Sequence, residues 1–272
     1  MRRKQSRPRN RRTGRGESGT AGSDDLPEIT YPVRLNRFIA RSGVSSRRDA
    51  DALIVEGKVK VNGETVTNFG TKVDRGDKVH VNGKLISPIT GVYLLLNKPT
   101  ATITTKKDEK GRPTVLDLID LDEAEKAALF PVGRLDRETS GVLLLTSDGA
   151  LAHRLMHPSY EIEKLYKVRT KGPVRDEELT RLLEGVELED GAARADLAAY
   201  TDLPNKHEVG IAMHSGRNRV VRRMIESLGH EVEALERVRY AGLTTSGVRR
   251  GKWRRLEKKE IERLYRAVKM KV

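Results

Sequence analysis

The densest group of reactive side chains is Gly133-Arg134-Leu135-Asp136-Arg137-Glu138-Thr139-Ser140-Gly141, just before the apolar run Val142-Leu143-Leu144-Leu145. Glycines at both ends predict a tight loop. Asp136 stands between Arg134 and Arg137, and cations beside a carboxylate favour its charged form. A positioned, ionised carboxylate is what a nucleophile or general base requires. A purely structural ion-pair loop would have the same composition. The second group is Ser215-Gly216-Arg217-Asn218-Arg219-Val220-Val221-Arg222-Arg223-Met224. Its four arginines open a predicted helix, and helix N-termini and guanidinium forks both suit phosphate. A solvated helix face is the plainer alternative. His153 and His157 are four apart on another predicted helix. They lack the intervening Glu of the zinc-protease motif and a third ligand, so a structural pair and no metal site are expected.

Other chemistries are excluded by what is missing. The chain has no cysteine, which removes disulfides, thiolate metal sites and thiol nucleophiles. No glycine-rich dinucleotide loop follows a strand, no Walker phosphate loop is present, and there is no Gly-x-Ser-x-Gly elbow. No nucleotide cofactor is therefore expected. The longest apolar runs are far too short to span a bilayer, and the basic N-terminus is not followed by the apolar stretch of a secretory signal. No membrane partner is expected, and the location is read as cytoplasmic.

The 272 residues carry 53 Lys+Arg against 39 Asp+Glu, a net charge of +14. The charge is uneven: +4 over residues 1–30, +5 over 31–90, +8 over 249–272 and −3 between. A polyanion gripped by peripheral elements explains that pattern. Residues 1–30 read as a disordered basic arm, too poor in apolar residues to offset the entropy of ordering. In residues 31–90, Leu35, Phe38 and Ile39 predict one helix, and Ala50, Leu53 and Ile54 a second, capped by Ser45 or Ser46. Short alternating strands follow, with Asn-Gly turns at 62–63 and 82–83. Arg34, Arg37, Arg41, Arg47 and Arg48 lie within fifteen residues on or between the helices, forming one charged face. Residues 91–250 mix strands and helices without regular alternation. Strands are predicted at Tyr93–Pro99, Val142–Thr146, Tyr166–Thr170 and His207–Met213. Helices are predicted at Ala150–Met156 (capped by Asp148), Glu177–Glu184 and Arg219–Leu228. The fold class is α+β with an antiparallel or mixed sheet. Residues 251–272 are expected to form a basic helix.

Two resemblances follow. The stretch RLNRFIARSGVSSRRDADALIVEGKVKVNG, Arg34 to Gly63, resembles the alpha-L RNA-binding domain. The chain over about residues 33 to 250 resembles the RsuA/RluB-like ribosomal RNA pseudouridine synthases. Leu94-Leu95-Leu96-Asn97-Lys98-Pro99 looks like the family's first motif, and Gly133 to Leu144 matches its catalytic motif. Glu163-Lys164-Leu165-Tyr166, Gly216 to Met224 and Arg239-Tyr240-Ala241-Gly242-Leu243 look like its tyrosine, arginine and closing motifs. The chain departs from it at Val220, often Gln, and at Thr100-Ala101-Thr102, where Gly is common.

The resemblance implies an N-terminal alpha-L domain and a mixed-sheet synthase domain that isomerises a uridine of ribosomal RNA, in a pre-ribosomal particle and of the large subunit. It implies that Asp136 attacks the nucleotide and frees the base for reattachment through carbon. Tyr166 would stack on the flipped base, Arg222 would pair with Asp136, and Leu243 would wall the pocket. Arg134, Arg137, Arg217, Arg219 and Arg223 join the five alpha-L arginines as RNA contacts. No cofactor is implied, and a monomer is expected. A non-catalytic assembly factor of the same fold is the competing reading. A base glycosidase would need a second carboxylate, for which Glu138 is the nearby candidate.

Overall fold

The computed structural model describes residues 30–89, 91–106 and 108–271. The predicted arm at residues 1–30 lies outside the described residues except for Thr30. The first elements are β1 (Val33–Arg34), α1 (Leu35–Arg41), α2 (Arg47–Val55), β2 (Val59–Val61), β3 (Glu64–Thr65), β4 (Lys72–Val73), β5 (Val79–Val81) and β6 (Lys84–Ile86). α1 buries Leu35, Phe38 and Ile39, and α2 buries Ala50 and Ile54. Ser46 caps α2, its hydroxyl accepting from the Asp49 backbone at 3.2 Å. The strands run β3-β2-β5-β6 in one antiparallel sheet, with β1 and β4 paired apart from it. Asn62-Gly63 and Asn82-Gly83 all have positive φ, the requirement of the tight hairpin turns that Asn-Gly predicts.

The larger unit is built from β7 (Tyr93–Lys98), α3 (Glu123–Ala128), β8 (Phe130–Pro131), β9 (Thr139–Thr146), α4 (Gly149–Met156), β10 (Lys164–Thr170), α5 (Asp176–Glu184), β11 (Leu197–Tyr200) and β12 (Glu208–Met213). α6 (Val220–Ser227), β13 (Val232–Tyr240), β14 (Leu243–Thr244), β15 (Trp253–Arg255) and α7 (Lys258–Ala267) complete it. The sheet order is β11-β12-β10-β13-β9-β7-β15. Among the described strands only β9 and β13 pair in parallel, so the sheet is mixed. β7 and β9 read as unbroken apolar runs because both their faces are covered. Tyr93, Leu95, Val142 and Leu144 face α4 and α7. Leu94, Leu96, Leu143 and Leu145 face Val115, Ile119 and Leu129.

Asp148 caps α4 by accepting from the backbones of Ala150 and Leu151 at 2.9 and 3.1 Å. The same carboxylate accepts from the hydroxyls of Tyr93 and Tyr265, which ties α7 to β7 and α4. Burial, and then the Asp148 charge, push both phenols well above their ordinary pKa. The two units touch here. Gly43 packs so close to Ala124 that a Cβ would lie 2.5 Å from its carbonyl oxygen. The Ile89 backbone donates to Arg41 at 2.8 Å. Arg37 and Arg41 are half-buried, with the Arg37 guanidinium beside Gly149.

The expected helix over 251–272 is corrected in part, because Trp253–Arg255 forms the edge strand β15 against Leu94 to Leu96. Its Trp-Arg-Arg sequence is half-exposed and carries no apolar period, so only α7, with Ile261, Leu264 and Tyr265 buried, keeps the helical pattern. Strands β11 and β13 were not expected. β11 is four residues, Leu-Ala-Ala-Tyr, with Leu197 and Ala199 turned outward and no buried residue to set a period, and VEALERVRY reads by pattern as a charged surface segment.

Candidate active site

A cleft of about 940 Å³ opens where β9, β10, β13 and the start of α6 converge. Asp136 and Tyr166 both line it, from the loop before β9 and from β10. Four residues hold the Asp136 loop by its backbone. Thr104 Oγ1 donates to the Leu135 carbonyl at 2.7 Å. The Ala101 backbone donates to the Arg137 carbonyl at 2.8 Å. Arg222 Nη2 donates to the Glu138 carbonyl at 3.3 Å. Lys98, 0% exposed at the end of β7, donates to the carbonyls of Pro99, Asp136 and Thr139 at 3.0, 3.0 and 2.8 Å. From this loop the Asp136 carboxylate faces the cleft, partly exposed, with Arg219 Nη1 at 3.9 Å.

Arg219 reaches that position because it caps α6 in the left-handed region, at φ 48°. Ala101, in the segment where the resembled family often has glycine, is likewise left-handed at φ 61°. Tyr166 packs between two apolar clusters and leaves part of its ring in the cleft, which suits a stacking platform.

Several expected positions differ. Arg219, not Arg222, is the cation within ion-pair distance of Asp136. Arg222 is 7% exposed, behind the loop. Burial, then Arg219, push its pKa down, against the opposing pull of Asp136 and Glu138. Arg217 and Arg223 are paired within the protein. Arg217 donates to the carbonyls of Asp190, Gly191 and Ala192, and Arg223 grips the Asp190 carboxylate at 2.8 and 3.0 Å. Leu243 lies in the core with Tyr240 and Leu256 and is not among the cleft-lining residues. Arg134 and Arg137 are exposed, and Arg134 lines the cleft. Glu138 is exposed and 3.5 Å from Arg137. In the small unit Arg34, Arg47 and Arg48 are exposed. Arg37 and Arg41 face the larger unit instead, because the helix that carries them is also the docking surface. The rings of His153 and His157 lie 5.7 Å apart, and no three metal-ligating side chains converge among the described residues.

Lys98 and Thr104 were missed as site residues. A lysine ending an apolar strand is the signal that was available for the first. Burial pushes the Lys98 ammonium down to about 8, only partly offset by Glu138 and Asp136. As pH rises through that value the side chain keeps two hydrogens for three carbonyls. The turnover rate is therefore expected to fall above about pH 8, and a rate flat to pH 10 would show that the loop does not depend on the ammonium. Stability should move the other way. An unfolded chain holds the lysine proton to about 10.4, so it binds more protons than the folded chain between the two values. Folding is then favoured as pH rises across that window, and Lys98→Met should lack this contribution in thermal unfolding.

A basic helix-and-hairpin unit beside a cleft with one held carboxylate and one open aromatic ring is the arrangement expected of an enzyme that acts on RNA bases. Comparison with known proteins gives the same class. The RNA pseudouridylate synthase family model matches residues 92–227 and the S4 domain model matches residues 33–79. The ribosomal large subunit pseudouridine synthase B of Bacillus subtilis (strain 168) is 45% identical over 234 residues, 85% of this chain and 95% of that protein. The protein of the same name from Pseudomonas aeruginosa is 40% identical over 258 residues, 90% of this chain and 65% of that one. A pseudouridylate synthase crystal structure superposes with a TM-score of 0.61 at 30% identity, covering 85% of this chain and 99% of that one. The chain belongs to the RNA pseudouridylate synthase family.

Proposed function

We propose that the enzyme converts a uridine of large-subunit ribosomal RNA to pseudouridine, with Asp136 as the nucleophile. The observation that carries this reading is the Asp136 loop. Its backbone is fixed by Lys98, Thr104 and Arg222 while its carboxylate stays open to the cleft beside Tyr166 and Arg219. A uridine in folded RNA must leave its stack before a carboxylate can reach its sugar, and in this reading Tyr166 holds the flipped base. Arg219 is the cation within ion-pair distance of the Asp136 carboxylate, and Arg222 stiffens the loop from behind. The names of the Bacillus and Pseudomonas relatives support the large subunit as the substrate. Among the described residues no helix is long and apolar enough to cross a membrane. A monomer working on pre-ribosomal particles in the cytoplasm fits this reading.

Incubating the protein with ribosomal RNA lacking pseudouridine, then mapping modified positions by mass spectrometry, tests the proposal. One new pseudouridine in large-subunit RNA is expected; none in either subunit's RNA would defeat it. The grip on RNA is testable separately. Replacing Arg34, Arg47 and Arg48 together by Ala should lower the slope of log affinity against log salt by roughly 2 to 3, one phosphate contact per arginine. An unchanged slope would place the grip elsewhere.

A further inference from the structure

We propose that Arg237 is a further catalytic residue, donating from its guanidinium to a carbonyl oxygen of the uracil while the base is detached from the sugar. The inference rests on the reaction proposed above. Arg237 is 2% exposed and yet lines the cleft. Its Nε donates to the Val142 carbonyl at 2.9 Å. Its Nη2 is buried and has no partner, and no described carboxylate forms an ion pair with it. The guanidinium lies 4.4 Å from the centre of the Tyr240 ring, which compensates a desolvated cation only in part.

Bridging to Val142 needs one N–H and no charge, which a neutral amide could supply. An unpaired donor on a buried cation is costly, so the charge calls for another explanation. The backbone supplies one. On β10 and β13, Tyr166 pairs with Arg237 and Leu165 with Arg239, leaving Val238 as a bulge. Directly opposed residues project from the same face, so Arg237 stands beside the ring proposed to hold the base. The bulge also breaks the strand's alternation, and that turns Tyr240 to the cleft as well. Lys164, opposite Tyr240, adds a second cation to this wall. Burial, and then Arg237, push its pKa down to about 8, and two of its three ammonium donors go to the carbonyls of Ile162 and His214. Arg237 is the cation of this wall whose unused donor is buried.

The chemistry asks for such a donor. When the bond from the sugar C1′ to N1 breaks, its electron pair leaves with N1. The uracil carries a negative charge shared by its two carbonyl oxygens, while Asp136 takes the C1′ position. The charge disappears when C5 bonds to C1′, the carboxylate leaves, the C5 proton is lost and N1 takes up a proton. No atom is gained or lost, and Arg237 keeps its own protons. A fixed donor aimed at charge that exists only in mid-reaction speeds the chemical step more than it tightens substrate binding.

The test uses the full chain with a stem-loop of the ribosomal RNA that contains the target uridine. Arg237→Gln is expected to lower the maximal rate about 10²-fold with the RNA concentration for half-maximal rate nearly unchanged. Arg237→Lys should recover at least part of that loss. Sulfur is then placed at either carbonyl position of the target base, one at a time. One of the two substitutions should change the wild-type rate by a factor that Arg237→Gln removes. Equal sulfur effects in wild type and variant, or a full rate in folded Arg237→Gln, would overturn the proposal. If Arg237→Gln fails to fold, the comparison of wild type with Arg237→Lys decides by the same criterion. A wild-type protein that modifies no uridine would instead overturn the reaction reading beneath it.

Discussion

Asp136→Asn is expected to reduce pseudouridine formation by roughly 10³-fold or more, the scale seen when a nucleophile is removed. RNA affinity and melting temperature should stay near wild type. The substitution keeps shape and removes only charge and nucleophilicity. The loop's grip runs through the Asp136 backbone carbonyl and its neighbours, which the change leaves in place. The ion pair that is lost is long, at 3.9 Å, and partly exposed, so it contributes little to stability. Mass spectrometry of RNA incubated with each protein, alongside filter binding, reads both outcomes. Modification by the Asn variant at the wild-type rate would remove Asp136 from the chemistry.

Gly141→Ala is expected to destabilise the fold by about 3 to 5 kcal/mol, a fall of roughly 10 °C in melting temperature. Gly141 has φ 106°, and a Cβ there would lie 2.2 Å from the Arg237 carbonyl oxygen and 2.9 Å from two further Arg237 backbone atoms. No side chain can swing aside to relieve that clash. The position is also where β9 pairs with β13 on one side and with Lys98 of β7 on the other. Gly133→Ala is the control. It is also left-handed, at φ 74°, but nothing lies within 4 Å of its Cβ position, so about 1 to 2 kcal/mol is expected. Calorimetric scans giving equal losses for the two variants would show that the close approach to β13 is unimportant.

Much of this was readable from the sequence, for reasons that differ by element. β7, β9 and α4 carry their own evidence: unbroken apolar runs and an Asp cap. The hairpins follow from Asn-Gly pairs. The Asp136 loop was marked by its glycines and by the strand behind it. Which arginine serves which partner was not readable, because that depends on the loop at Asp190 being folded back onto α6. Arg219's approach to Asp136 likewise follows from a left-handed cap that adjacent sequence does not announce. Arg237 and Arg239 look alike in a charged run, and only the bulge at Val238 buries one and exposes the other.

Tyr93 and Tyr265, joined through Asp148, are 172 positions apart. During synthesis, the face of β7 and β9 that α7 will cover therefore stays wet until almost the whole described chain has been made. Tyr93, Leu95 and Leu144 are then open to chaperones and to aggregation, while the small unit, with a core of its own, can already have folded. A frameshift shortly before Tyr265 would leave the Asp136 loop's sequence intact and still yield a protein that cellular quality control removes. For this enzyme the supply of active molecules is set as much by the late arrival of one tyrosine as by any residue of the cleft.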